Sequence, residues 1–191
     1  AYTLYLKGRY FWRKRGESLT TAIDYFNRAI AIDSQYARAY AGIASAYAPL
    51  GIHGYLHPQE ARERVKSAAL RAVELDDGLP EAHTALAAYY HAYEWNWAAA
   101  EHEYQRAMQL DPNFQQAHLW YGYFLEGMGR FTEAVAERNR AVELDPLDAG
   151  AVGGLGTALR LAGRNAEAEA MYGEAIELDP EYWQAQEARG I

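Results

Sequence analysis

The sequence predicts an all-α fold, a right-handed superhelical α-solenoid of stacked two-helix repeats. Three observations predict it. The segment Arg106-Ala107-Met108-Gln109-Leu110-Asp111-Pro112 recurs 34 residues later as Arg140-Ala141-Val142-Glu143-Leu144-Asp145-Pro146, and again as Glu174-Ala175-Ile176-Glu177-Leu178-Asp179-Pro180. Two earlier copies, Arg28 to Ser34 and Arg71 to Asp77, replace the proline and keep the pattern. Alanines also come in pairs, Ala100 with Ala107, Ala134 with Ala141 and Ala168 with Ala175, as two helices in close approach require. A period of this length marks units that bury their apolar faces on their neighbours.

The elements follow in order. Ala29, Ala72, Ala107, Ala141 and Ala175 are spaced 43, 35, 34 and 34 residues apart, so the array is regular in its C-terminal half and carries insertions early. Five repeats are expected in one array over 1–191, at about 2–34, 35–77, 78–112, 113–146 and 147–180, with a partial sixth at 181–191. The first repeat is expected to lengthen its internal turn around Lys14 to Leu19. The second adds nine residues around Ile52 to Glu60, among them His53, Gly54, Tyr55, His57 and Pro58. The unit from Gln115 is the clearest, with an apolar-periodic helix through Leu119, Tyr121, Gly122 and Leu125, a turn at Gly129-Arg130 and a second helix from about Phe131 to Glu143. Pro146 lacks the N–H that a helix interior needs, so it stops that helix. Gly122 and Gly156 permit close helix approach, and Phe26, Tyr104 and Tyr172 fill the complementary holes. The pattern runs into both ends of the chain, which reads as a piece of a longer protein.

Leu155-Gly156, the glycine turns at Gly51, Gly129 and Gly163, the paired alanines and the closing Asp-Pro together resemble the tetratricopeptide repeat, over nearly the whole chain. The resemblance implies a protein-interaction scaffold rather than an enzyme, with first helices lining a concave side that suits an extended peptide or a partner helix. Tyr5-Leu6-Lys7-Gly8-Arg9-Tyr10-Phe11-Trp12, Tyr40-Ala41-Gly42-Ile43-Ala44 and Trp95-Asn96-Trp97-Ala98-Ala99-Ala100-Glu101 are further similar to segments of bacterial multidomain regulators. In those, such an array follows a winged-helix DNA-binding domain, or a kinase or cyclase domain. That likeness implies the sensor or docking half of a regulator.

Composition narrows the alternatives. The chain has 191 residues, half of them hydrophobic, and no cysteine, which removes disulfides, thiolate metal sites and cysteine nucleophiles. A reducing, cytoplasmic setting fits. The net charge of −8 opposes nucleic-acid and anionic-membrane binding. No apolar run approaches the roughly 18 residues of a membrane span, and no secretory signal is visible.

The candidate binding face is taken from the repeat register: Arg9, Trp12, Arg13, Arg38, Glu81, His91, Leu119, Trp120, Tyr123, Glu126 and Arg160, with Ser45, Thr84, Ala88, Gly153 and Thr157 beside them. Aromatic and arginine side chains dominate binding energetics, so Trp12, Trp120, Tyr123 and Arg160 lead. The carboxylate clamp of chaperone-binding relatives would fall on Tyr5, Arg9, Gly42, Glu81 and Ala85, of which only Arg9 suits the task. Lys7, Arg9, Arg13, Lys14 and Arg15 make residues 1–15 locally basic, with no acid among them. A solvated helix face is the first reading of that run, ahead of an acidic partner. Gly150 to Gly156 superficially resembles a phosphate loop but lacks the Gly-Lys-Ser/Thr that would follow. His83 and His118 share the repeat position of Tyr40, where a ring packs between helices; no metal and no cofactor is expected. Self-association through the repeat ends is the alternative function, because Tyr182 and Trp183 would lack a covering helix.

Overall fold

A computed structural model describes residues 1–14 and 16–189; of Trp183, Gln184 and Arg189 only the backbone is described. Arg15 of the basic run and the Trp183 side chain therefore lie outside the described residues. The chain forms two compact units, Ala1–Pro112 and Asn113–Ile191. The first contains α1 (Tyr2–Lys14), α2 (Ser18–Ile32), α3 (Ala37–Ile52), α4 (Pro58–Leu75), α5 (Pro80–Tyr89) with a single π turn at Tyr90–Glu94, and α6 (Trp97–Leu110). The second contains α7 (Gln115–Gly127), α8 (Phe131–Leu144), α9 (Ala149–Leu161), α10 (Asn165–Leu178) and α11 (Trp183–Arg189). No strand occurs among the described residues. Consecutive helices pair as hairpins, and inside each unit a first helix also touches the next first helix: α1 with α3, α3 with α5, α7 with α9.

Local chemistry sets the boundaries. Asp33, Asp76, Asp111, Asp145 and Asp179 cap the C-termini of the second helices, each N–H donating to the alanine four residues back. The carboxylates of Asp33, Asp76 and Asp179 then accept from the backbone N–H two residues on. That is the Asx turn which redirects the chain into the next repeat. Asn96 and Asp148 cap the N-termini of α6 and α9 through their side chains.

The alanine pairs are sealed: Ala22, Ala29, Ala100, Ala107, Ala134 and Ala141 have no exposed surface. One slot beside them varies in its content among the repeats. Phe26, Tyr104 and Tyr172 fill it in the first, third and fifth repeats and are buried. A Cβ added at Gly8 or Gly42 would run into the Phe26 ring, and one at Gly156 into Tyr172. The same register brings Ala69 to the slot in the second repeat and Arg138 in the fourth.

Several expectations change. The first repeat has no lengthened turn, since α1 ends at Lys14 and α2 starts at Ser18, the spacing of Gly127 to Phe131. The insertion around Ile52 to Glu60 is divided between loop and helix: α3 runs to Ile52, residues 53–57 form the connection, and α4 begins at Pro58, with the His57 ring accepting from the Gln59 N–H. Gly51 lies inside α3 rather than in a turn, pressed against Ala61 and the Tyr93 hydroxyl.

The third repeat holds one extra residue. Ala82 and Ala100 are 18 apart, where Ala117 and Ala134 are 17 apart. The π turn at Tyr90–Glu94 absorbs it, as a one-residue insertion into a helix does. The turn ends on Trp95, in the left-handed region at φ 53°. Gly16, Gly129 and Gly163 stand there in other repeats, at φ 54°, 72° and 78°, so Trp95 accepts a steric cost that glycine avoids.

Trp12 also acquires a structural reason. Pro49 sits inside α3 without an N–H to offer the Ser45 carbonyl four residues back. The Trp12 indole N–H donates to that carbonyl at 3.1 Å. Tyr182 packs on Gly153 and the core of α9 and α10.

Two substitutions probe this packing. Ala141 is sealed beside Leu119 and Ala151, so Ala141→Leu should overpack and cost about 1–3 kcal/mol in denaturant unfolding. Trp95 is 73% exposed, so Trp95→Gly should gain about 1 kcal/mol by relieving the backbone. A loss instead would mean that indole packing outweighs the strain.

Candidate functional site

In the first unit the candidate face is cationic. Arg9 and Arg13 on α1 and Arg38 on α3 are exposed. Arg38 meets Glu81 of α5 at 3.5 Å, which ties two first helices together at the surface. Burial pushes the Tyr5 hydroxyl up from its ordinary pKa, and the Arg9 guanidinium beside it pulls the other way. Thr84 and Ala88 are buried, the Thr84 hydroxyl donating to the Pro80 carbonyl, so neither is open to a ligand. Ser45 is half-buried and its carbonyl engages Trp12. Trp12 itself is half-buried and occupied by the fold. His91 lies in the π turn with its ring 6.0 Å from that of Trp97. Burial lowers its pKa to about 4, so at neutral pH it offers an uncharged ring.

The π turn is held by a network that sequence reasoning does not find. Arg62 of α4 donates to Glu94 at 2.6 Å, and the Tyr89 hydroxyl donates to the same carboxylate oxygen. The two hydrogen bonds keep the Glu94 carboxyl below its ordinary pKa. The Tyr93 hydroxyl donates to the Ala48 carbonyl at 3.1 Å.

In the second unit the face is aromatic. The Trp120 and Tyr123 rings, one helical turn apart on α7, meet edge to face at 6.0 Å. Tyr123 is 40% exposed and Trp120 half-buried. Leu119, expected on this face, is buried against Ala141 and Ala151, because its place on the helix turns it inward. Gly153 is covered by Tyr182, and Thr157 bonds within its own helix and to Tyr172. Arg160 on α9 is exposed.

Glu126 belongs to a buried ion pair. Arg138 of α8 donates from Nε to its carboxylate at 2.8 Å, with the two side chains 8% and 6% exposed. The Arg138 guanidinium also lies 6.0 Å from the centre of the Tyr123 ring. A Cβ at Gly122 would come within 2.8 Å of Arg138 Cγ, and one at Gly154 within 2.6 Å of Nη1. The arginine thus threads between two glycines, one on α7 and one on α9. Its signal is present in the sequence: an arginine in the slot that is aromatic in three repeats.

His83 and His118 pack between helices, and each also meets a carboxylate 2.6 Å away, Glu103 and Glu137 respectively. The second ring nitrogen of His83 lies 2.8 Å from the Asp77 carbonyl. Both its neighbours are acceptors, so only imidazolium donates to both, and the hydrogen bond to Glu103 raises its pKa. Among the described residues no three His, Asp or Glu side chains gather as metal ligands, and no helix is long and apolar enough to cross a membrane.

The sequence profile of the tetratricopeptide repeat matches residues 86–149, 125–182 and 154–191, which together span more than half of the chain. No curated protein sequence matches. Among solved structures, the chain is similar to a thermophilic TPR protein of Thermus thermophilus. It is 20% identical, over 96% of this chain and 94% of that one, with a TM-score of 0.71. It also resembles YrrB, a TPR protein with an unusual peptide-binding site, at 23% identity over 91% and 84% of the two chains and a TM-score of 0.59. MamA is 21% identical, over 86% of this chain and 90% of its own, with a TM-score of 0.55. At these identities the likeness establishes the fold.

The buried histidine has a testable consequence. The folded pKa of His83 lies above its ordinary 6.5, so its contribution to stability is complete below about 6.5 and is lost as pH rises through the folded value. Denaturant unfolding between pH 6 and 9 should show wild-type stability declining relative to His83→Leu. A parallel pH dependence of the two proteins would assign the charge elsewhere.

Proposed function

The chain belongs to the tetratricopeptide-repeat family, and we propose that it is a protein-interaction scaffold holding a peptide or partner protein against the exposed side chains of its first helices. The observation that carries the reading is the Trp120–Tyr123 pair. Two aromatic rings on one turn of α7 remain partly open to solvent, while Leu119 beside them is buried. Large, rigid aromatic side chains gain much contact area at little entropic cost when a partner covers them. In the first unit Arg9, Arg13 and Arg38 offer cations to an acidic partner, with Glu81 setting the position of Arg38. The peptide-binding site of YrrB, on a similar fold, supports the same type of role. The likeness of three segments to bacterial multidomain regulators supports placing this array in the docking half of such a protein, in the cytoplasm and without catalysis of its own.

Peptides selected from a random display library on the wild-type chain provide the test. Tyr123→Ala should weaken them by about 2 kcal/mol or more while leaving unfolding nearly unchanged. Trp120, being half-buried, should lose both affinity and part of its stability on truncation. Selected peptides that bind Tyr123→Ala and Trp120→Ala as tightly as wild type would place the binding surface elsewhere.

A further inference from the structure

Arg138 presents a problem in energetics. Its slot holds Phe26, Tyr104 and Tyr172 in other repeats, each a buried aromatic ring. Replacing a buried ion pair by a packed apolar side chain is commonly neutral or stabilising. Stability therefore gives no reason for an arginine here. Local rules broken in this way mark function.

The geometry shows what the arginine gains. Its stem starts on the second helix α8, passes Gly122 of α7, and brings the guanidinium past Gly154 of α9. There Nε is tied to Glu126, and the guanidinium carbon stands 6.0 Å from the ring of exposed Tyr123. The slot thus delivers a cation from behind to the first-helix face. Among the described residues, Nη1 and Nη2 make no hydrogen bond and neither is sealed from solvent. A guanidinium has five donors in a planar fork. With the Nε donor taken by Glu126, the Nη end keeps the geometry that grips a carboxylate through two parallel bonds.

We propose that Arg138 is the carboxylate-recognition point of the second unit. It takes a carboxylate carried next to an apolar group, with the apolar group on the Trp120–Tyr123 shelf. The proposal rests on the binding face described above and names its chemistry. Glu126 has two opposed effects. It fixes the guanidinium, and its own charge weakens the attraction for an incoming anion.

Three probes separate the possibilities: N-acetylphenylalanine, with its α-carboxylate; N-acetylphenylalanine amide, which is neutral; and N-acetyl-Glu-Phe-amide, with a side-chain carboxylate. Each is titrated into the intact chain and followed by NMR at the Arg138 Nε–H and the Tyr123 ring. At least one acid should bind about tenfold or more tightly than the neutral amide, and the better acid identifies the source of the carboxylate. Glu126→Gln should tighten acid binding several-fold, a gain that a merely structural ion pair would not produce. Arg138→Gln alone strands Glu126, so the double variant Arg138→Gln/Glu126→Gln is used for the loss, and the discrimination should vanish in it. Equal binding of acid and amide would overturn the proposal and leave the aromatic face standing. Discrimination that survives the double variant would also overturn it. No binding by any probe would remove both.

Discussion

Every hairpin in this protein depends on two helices touching at an alanine. Ala22, Ala29, Ala100, Ala107, Ala134 and Ala141 have no exposed surface at all, and nothing larger fits where two backbones approach so closely. The other features follow from that distance. Because the alanines bring the axes together, a slot is left beside them, as around Phe26 between α1, α2 and α3 and around Arg138 between α7, α8 and α9. Where Phe26, Arg138 or Tyr172 fills the slot, the first helix opposite it carries a glycine. Gly8 and Gly42 against Phe26, Gly156 against Tyr172, and Gly122 against Arg138 are the same arrangement with different contents. The capping aspartates then close each second helix and turn the chain, so the spacing repeats.

A frame fixed this way separates what holds the protein together from what faces outward. Leu119, Thr84 and Ala88 share first helices with exposed residues, yet they are committed to packing. Trp12 is committed by a hydrogen bond, since the Pro49 ring would otherwise leave the Ser45 carbonyl without its helical donor. Of the residues that the register places on the candidate face, Arg9, Arg13, Arg38, Tyr123 and Arg160 keep exposed side chains. These are mostly cations, on a chain whose net charge is negative.

The repeat and its helix pairs are legible because they are written locally, in the alanine spacing and the Asp-Pro ends. What is not legible depends on partners distant in sequence or on lengths that a sequence leaves ambiguous. The count of extra residues near Ile52 does not say how they divide between loop and helix; α3 reaches Ile52, α4 starts at Pro58, and residues 53–57 connect them. The 35-residue spacing reveals the extra residue of the third repeat, but not that a π turn absorbs it. The Trp95-Asn96-Trp97 segment reads as a family signature. In the structure it is a left-handed residue, a side-chain cap and the first position of α6. Arg138 escapes for a different reason. The repeat register places binding residues on first helices, and this one is delivered from a second helix.

That last point changes how specificity is set in a stacked-helix protein. A first helix offers outward positions only every three or four residues, and several are consumed by packing against the next repeat. A slot residue is under a different constraint, because its backbone is on the far helix and only its end comes near the face. An aromatic ring ends inside the gap and seals it. Arginine is longer and carries its charge at the tip, so its stem packs against the flanking glycines while the guanidinium reaches Glu126 and Tyr123. The exchange of ring for arginine alters the chemistry of the face without disturbing any first-helix residue that sets the spacing. Both contents need room at two glycines: the Phe26 ring lies against Gly8 and Gly42, and the Arg138 side chain against Gly122 and Gly154. The charged tip, carried past the gap to Glu126 and Tyr123, is therefore the feature that distinguishes a slot residue serving the surface from one serving only the core.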